Sequence, residues 1–253
     1  MQKAIEFVCD NLTLRGTAHI PDTHKGKYPF VIMYHGFTGD KTEVHWMFTR
    51  LSRELEKLEI GSIRFDFSGS GESDGFFYNT TIASELREAL SIYRFALALD
   101  YVDADRLFML GMSVGGLIAG LTAPKAEKLK GLILWAPGGN ILEYVINMRK
   151  REPADRAGRI DMGGFLLSPD FERCLYDIDI YQTASAFQGN VLIVHGDGDE
   201  TVPFDIGLRY KKIYGERAEL LNIEGANHGF SRPAWKDALM EATKTFLLRE
   251  LGA

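Results

Sequence analysis

Residues 107–120 read LFMLGMSVGGLIAG, an uncharged run that passes through Gly111, Ser113 and Gly115 into small and aliphatic residues. Gly111-Met112-Ser113-Val114-Gly115 fits G-x-S-x-G, the pattern of a serine on a tight strand-to-helix turn. There the flanking glycines let the backbone pass close to the hydroxyl. Glycine and serine are common, so an ordinary turn also satisfies these five positions. The flanks favour the sharper reading. Phe108, Met109 and Leu110 form a short apolar run, as in a strand buried on both faces, and no polar side chain occurs from Val114 to Leu121. Ser113 is therefore the candidate nucleophile.

Working outward, the chain alternates strands and helices. Residues 4–20 contain two extended runs on either side of the turn pair Asp10-Asn11 and predict an antiparallel hairpin. A polar loop over residues 21–29 leads to a buried strand, residues 30–34, which ends at His35-Gly36-Phe37-Thr38-Gly39. Trp46, Met47, Leu51, Leu55 and Leu58 share one helical face, and residues 61–67 are the next strand. Residues 82–99 form an amphipathic helix through Leu86, Leu90, Tyr93 and Leu97, and residues 103–106 turn the chain into the serine strand. Downstream, strands at residues 132–136, 191–194 and 220–223 and helices at 204–214 and 235–251 continue the alternation.

This order predicts an α/β fold, with a mostly parallel central sheet, helices on both faces and ligands outside the carboxyl ends of the strands. Residues 1–253 read as one domain. Residues 138–188 are too long for an ordinary connection and read as an inserted cap or lid segment. Ile141, Leu142, Val145, Ile146 and Met148 predict a helix within it, and Gly163-Gly164 between short apolar flanks predicts a small hairpin.

Composition bounds the partners. Hydrophobic residues make up 45% and charged residues 25%, as in a globular chain able to bury a core. A net charge of -6 without a long basic run argues against nucleic-acid or anionic-membrane partners. Two cysteines, Cys9 and Cys174, do not make a disulfide framework. The N-terminus lacks an uninterrupted apolar signal core and no segment has the length of a membrane span, so the expectation is a cytoplasmic protein. The sequence is compatible with a homodimer and does not specify one.

Gly69 and Gly71 make G-x-G after a strand, but Asp74 stands where a dinucleotide loop needs its third glycine and Gly75 comes one residue late. Nor does any histidine pair carry metal-ligand spacing, so no metal or other cofactor is expected.

A serine hydroxyl needs a base to take its proton and an acid to orient that base. With an elbow serine, acid and then histidine follow along the chain. Only His195 and His228 come after Ser113. His195 ends a strand directly before Gly196, where packing explains it, whereas His228 lies in the loop after the last strand and is the better base. Asp197, Asp199 and Glu200 compete as the acid. Asp199 is preferred on the pattern H-G-x-x-D-x-x-V-P over residues 195–203; Asp197 is the second choice, with a turn or cap as its other reading. Residues 137–140, after the preceding strand, offer no carboxylate. The oxyanion would take the backbone N–H of Val114 and that of Phe37, from the loop after residue 34.

Taken together, His35 to Gly39, FDFSGSGES at residues 65–73, the elbow, LWAP at residues 134–137, the insertion and His195 to Asp199 resemble the α/β-hydrolase serine esterases and lipases. Within these the chain is most similar to bacterial cinnamoyl (feruloyl) esterases. The resemblance implies an α/β-hydrolase fold and a carboxylic ester hydrolase that cleaves small esters, hydroxycinnamates above all, through an acyl-enzyme. An aminopeptidase-like hydrolase, a short-chain lipase and a catalytically silent ligand-binding protein of the same fold are the alternatives. One departure is Met112, where many relatives carry histidine; that position supports the turn and has no part in the proton relay. In such esterases the insertion roofs the acyl pocket. Phe165, Phe171, Tyr176 and Tyr181 are its aromatic candidates for substrate contact, with core packing the competing reading for each.

Overall fold

In the computed structural model, residues 1–23 and 26–252 are described. Strands β1 (Gln2–Cys9) and β2 (Leu12–His19) form the expected hairpin about Asp10-Asn11, both of which adopt positive φ. The loop expected over residues 21–29 includes His24 and Lys25, which lie outside the described residues. It is shorter than expected, because β3 (Tyr28–Tyr34) already includes Tyr28 and Pro29. Its register to the neighbouring strand shifts between Tyr28 and Phe30, where Pro29 has no N–H to give a ladder.

The remaining main-sheet strands are β4 (Gly61–Phe65), β5 (Val102–Met112), β6 (Leu129–Trp135), β9 (Asn190–Gly196) and β10 (Ala218–Ile223). Among the described residues, eight strands make one sheet in the order β1-β2-β4-β3-β5-β6-β9-β10. The β1/β2 and β2/β4 pairs are antiparallel and every other pair is parallel. This is the mostly parallel sheet anticipated from the alternation. Most element ends fall within one to three residues of expectation, and two differences have a local cause or change an element's reading. Residues 103–106 belong to β5 and are not a turn, and β4 ends at Phe65, after which the Asp66 carboxylate accepts hydrogen bonds from the amides of Lys41 and Glu72 and draws the chain out of the ladder.

The uninterrupted apolar strands are explained by a core on each face. On one face, Phe30, Ile32, Tyr34, Met109, Leu132, Leu134 and Ile193 pack with α2 (Ile82–Leu97), α3 (Val114–Thr122) and α7 (Phe204–Tyr214). On the other, Val31, Met33, Leu110, Ile133, Trp135 and Val194 meet α1 (Met47–Lys57) and α8 (Pro233–Leu251). Alternate residues of each strand thus serve opposite layers, and both layers need apolar side chains.

Residues 138–188 hold α4 (Ile141–Arg151), a two-stranded hairpin of β7 (Ile160–Asp161) and β8 (Leu166–Leu167), α5 (Pro169–Leu175) and α6 (Ile180–Ser185). The first helix and the hairpin follow the sequence expectation. The two short helices were not anticipated, although Pro169 at the first helical position and Asp179, whose side chain accepts from Gln182 N, are start signals. The segment is anchored by its own buried residues, Val145, Ile160, Leu167, Phe171 and Leu175. Among the described residues, no helix is long and apolar enough to cross a membrane.

Candidate active site

Strand β5 ends at Met112 and α3 begins at Val114, so Ser113 occupies the junction, at φ 55° and ψ -121°. A side chain is rarely held in that region, and the surrounding hydrogen bonds account for its persistence here. Ser113 N donates to Trp135 O (2.8 Å), while Ser113 O accepts from Leu117 N (3.1 Å) and Gly138 N (2.7 Å). The glycine spacing is a steric requirement. A Cβ on Gly111 would lie 2.0 Å from Gly115 O, and one on Gly115 would lie 2.0 Å from Tyr34 O. Met112 is buried in the apolar layer beneath the turn.

The structure brings Ser113, His228 and Asp199 together from three strand ends. His228 Nε2 lies 3.0 Å from Ser113 Oγ and His228 Nδ1 lies 2.7 Å from Asp199 Oδ2. The other carboxylate oxygen of Asp199 accepts from the amides of Thr201 (2.9 Å) and Val202 (2.8 Å). Burial pushes the Asp199 carboxyl up, but contacts from His195 and His228 and the Val202 amide outweigh it and hold the group well below the usual carboxylate range. An ionised Asp199 favours a proton on Nδ1 of His228 and leaves Nε2 free to accept the proton of Ser113.

Asp197 is engaged elsewhere, accepting from Gly225 N (2.5 Å) and Asn222 Nδ2 (3.0 Å) as a turn-forming residue does. His195 is buried, with Nε2 donating to Val202 O (2.9 Å) and 3.4 Å from Asp199 Oδ2. Its position steadies the loop that carries Asp199.

A cavity of about 250 Å³ opens on Ser113 and His228 and is bordered by Phe37 and Val114. The Gly36-Phe37 turn runs alongside the serine: a Cβ on Gly36 would sit 3.3 Å from Ser113 Cβ. His35 props this turn. Its Nδ1 donates to Gly36 O (2.8 Å) and its Nε2 accepts from Phe67 N (3.1 Å), a pattern that requires the neutral Nδ1–H tautomer.

The far wall of the cavity comes from residues 138–188, through Asn140, Ile141, Tyr144 and Met162. None of the four aromatic candidates lines it, and each is held elsewhere. Phe171 is fully buried and packs on Phe37 (centroids 5.1 Å apart), so it backs the wall. Phe165 packs on Phe77 (5.0 Å), Tyr176 is 62% exposed with its hydroxyl on Glu172, and Tyr181 packs on Tyr210 (5.3 Å). Helical spacing was the signal that would have found Tyr144, which follows Asn140 and Ile141 by four and three residues on α4. Among the described residues, no group of three or more His, Cys, Asp or Glu side chains is placed to hold a metal ion.

A mostly parallel sheet of this order, crossed by helices on both faces and carrying a serine on a strand-to-helix elbow, defines the α/β-hydrolase fold. The chain belongs to the prolyl oligopeptidase family, which its residues 65–253 match. Among solved structures it is similar to Est1E from Butyrivibrio proteoclasticus with ferulic acid bound, at 27% identity and a TM-score of 0.87, covering 99% of this chain and 100% of that one. A second structure of Est1E from the same organism gives 26% identity and a TM-score of 0.83, with 99% of each chain covered. The α/β hydrolase GrgF from Penicillium sp. sh18 shares the fold at 18% identity and a TM-score of 0.80, with 100% of each chain covered. A curated relative, an uncharacterized 31.7 kDa protein from the traX-finO intergenic region of Escherichia coli, is 27% identical over 107 residues. That alignment covers 42% of this chain, and the chain spans only 36% of the relative's length.

Proposed function

We propose that this protein is a serine carboxylic ester hydrolase that cleaves hydroxycinnamate esters such as feruloyl esters through an acyl-enzyme. The observation that carries the reading is the unbroken relay from Asp199 through His228 to Ser113, opening on a cavity with aliphatic and aromatic walls. Ser113 Oγ attacks the ester carbonyl as His228 Nε2 takes its proton, and the Phe37 and Val114 amides stabilise the oxyanion. His228 then protonates the departing alcohol. Water, deprotonated by the same imidazole, releases the acid and regenerates Ser113.

In this reading residues 1–253 are one domain in which residues 138–188 form a cap, and Ile141, Tyr144 and Met162 face the acyl group. Support for a cinnamoyl acyl group comes from the full-length likeness to Est1E, solved with ferulic acid. Membership of the prolyl oligopeptidase family favours a second reading, an amidase or peptidase using the same relay. A panel that sets methyl ferulate and p-nitrophenyl acetate against aminoacyl p-nitroanilides separates the two. Hydrolysis of the ferulate with kcat/KM above that for every anilide is expected; the reverse order would move the assignment to a peptidase.

A further inference from the structure

Glu43, which lines a cavity with Ser113, has an outlying backbone. Its φ of 61° and ψ of 163° fall in a region that is almost exclusively glycine's. Such a conformation persists where surrounding contacts over-determine it, and here they converge on the carboxylate. Glu43 Oε2 accepts from Gly36 N (2.8 Å) and Oε1 from Val44 N (3.1 Å). Gly36 precedes Phe37, the proposed oxyanion donor, and a Cβ at Gly36 would lie 3.7 Å from Glu43 Oε2 and 3.3 Å from Ser113 Cβ. Glu43, Ser113 and His228 line one cavity, separate from the one that Tyr144 and Met162 line with the same Ser113 and His228.

We infer that Glu43 is a positioning residue: it fixes the Gly36 amide, and with it the Phe37 amide beside Ser113, while presenting negative charge to His228. The inference rests on the serine-hydrolase reading above. Burial pushes the Glu43 carboxyl up on balance, and the hydrogen bonds from the Gly36 and Val44 amides oppose that rise by favouring the carboxylate. The other charged or titratable groups around this cavity are committed. Asp40 accepts from the amide and hydroxyl of Thr42, and the Lys41 ammonium is turned onto Asp66 and Glu72. Asp199 faces His228 from Nδ1, the opposite end of the ring from Ser113. Glu43 is thus a second carboxylate able to favour the imidazolium that forms during attack.

Two variants separate positioning from charge. E43Q keeps an oxygen that accepts from Gly36 N but removes the charge. E43G removes the side chain while suiting the backbone angles, so the fold is retained. The first readout is the rate at which an alkyl fluorophosphonate inactivates the enzyme, a reaction in which Ser113 Oγ bonds to phosphorus and fluoride leaves. It needs the relay and the oxyanion site and no particular acyl group. E43G should react about 10- to 100-fold more slowly with an undiminished Tm, a size expected for a misplaced catalytic donor. E43Q should recover at least about tenfold of that loss. The acid limb of kcat/KM for p-nitrophenyl acetate should move to lower pH in E43Q, because losing a negative charge makes protonation of His228 less favourable. An E43G variant as reactive as wild type, or an E43Q variant no better than E43G, overturns the positioning role; an unmoved acid limb overturns the charge role. A wild type inert to the fluorophosphonate defeats the serine-hydrolase reading and this inference with it.

Discussion

His228 Nε2 lies 3.0 Å from Ser113 Oγ, a hydrogen-bond contact between residues 115 positions apart in the chain. The elbow raises the serine at the end of β5, and the loop after β10 returns the imidazole across two intervening strands, β6 and β9. Because the two groups sit on separate loops held by one rigid sheet, each can be removed with little consequence for the core.

The variant S113A should therefore lose ester hydrolysis by about a thousandfold or more while its Tm stays near that of wild type. Alanine meets the same backbone angles without the hydroxyl. Turnover comparable to wild type would remove Ser113 from the nucleophile's role.

For the acid, D199N should lower kcat by about 10⁴-fold, since an amide at this position no longer stabilises the imidazolium. D197N, two residues away, should leave kcat within about threefold, because Asp197 is occupied by Gly225 N and Asn222. Steady-state kinetics on both variants check this, and the opposite order would transfer the role to Asp197.

At the turn itself, G115A should be destabilising by about 3 kcal/mol or more, as the new Cβ would approach Tyr34 O to 2.0 Å and His35 O to 2.5 Å. Urea unfolding measures it. Stability equal to wild type would show that strand and helix can part without cost.

Specificity is better tested by point variants than by replacing the 138–188 segment, whose Val145, Ile160, Leu167 and Phe171 are fully buried. Y144A and M162A should lower kcat/KM for methyl ferulate about tenfold more than for p-nitrophenyl acetate, the difference being the buried contact with the ring. Equal losses on both esters would leave the cinnamoyl assignment resting on similarity alone.

Away from the site, the buried Glu85 carboxyl is pushed up to about 8 by burial and by the neighbouring Glu88. Its folded-state value lies above the unfolded value near 4.5. The stability this confers is present below pH 4.5 and is lost as pH rises towards about 8, because the unfolded chain ionises first. E85Q does not titrate, so its Tm should exceed that of wild type at pH 8 and the gap should close towards pH 4.5. A gap that does not change with pH would show that Glu85 is not held protonated.

The strand runs, the helices around them and the turn at Ser113 were legible in the sequence because their causes are local. Apolar residues repeat with the period of the element that buries them, and G-x-S-x-G is demanded by backbone contacts that a Cβ would block. His228 was legible by chain order, since only two histidines follow the serine. Tertiary structure decided the rest. Asp199 was already preferred over Asp197 on the pattern over residues 195–203, and the folded path of the loop supplies the reason, turning Asp197 to Gly225 and Asp199 to His228. The four aromatic candidates of the inserted segment are as apolar as Tyr144 and Met162, but which of them faces the cavity depends on how α4 packs on α5, how Phe171 of α5 meets Phe37 and how the hairpin seats Phe165 on Phe77. Glu43 gave no periodic or motif signal, because a carboxylate that caps the amide of Gly36 across a turn acts through a folded loop geometry that no spacing encodes.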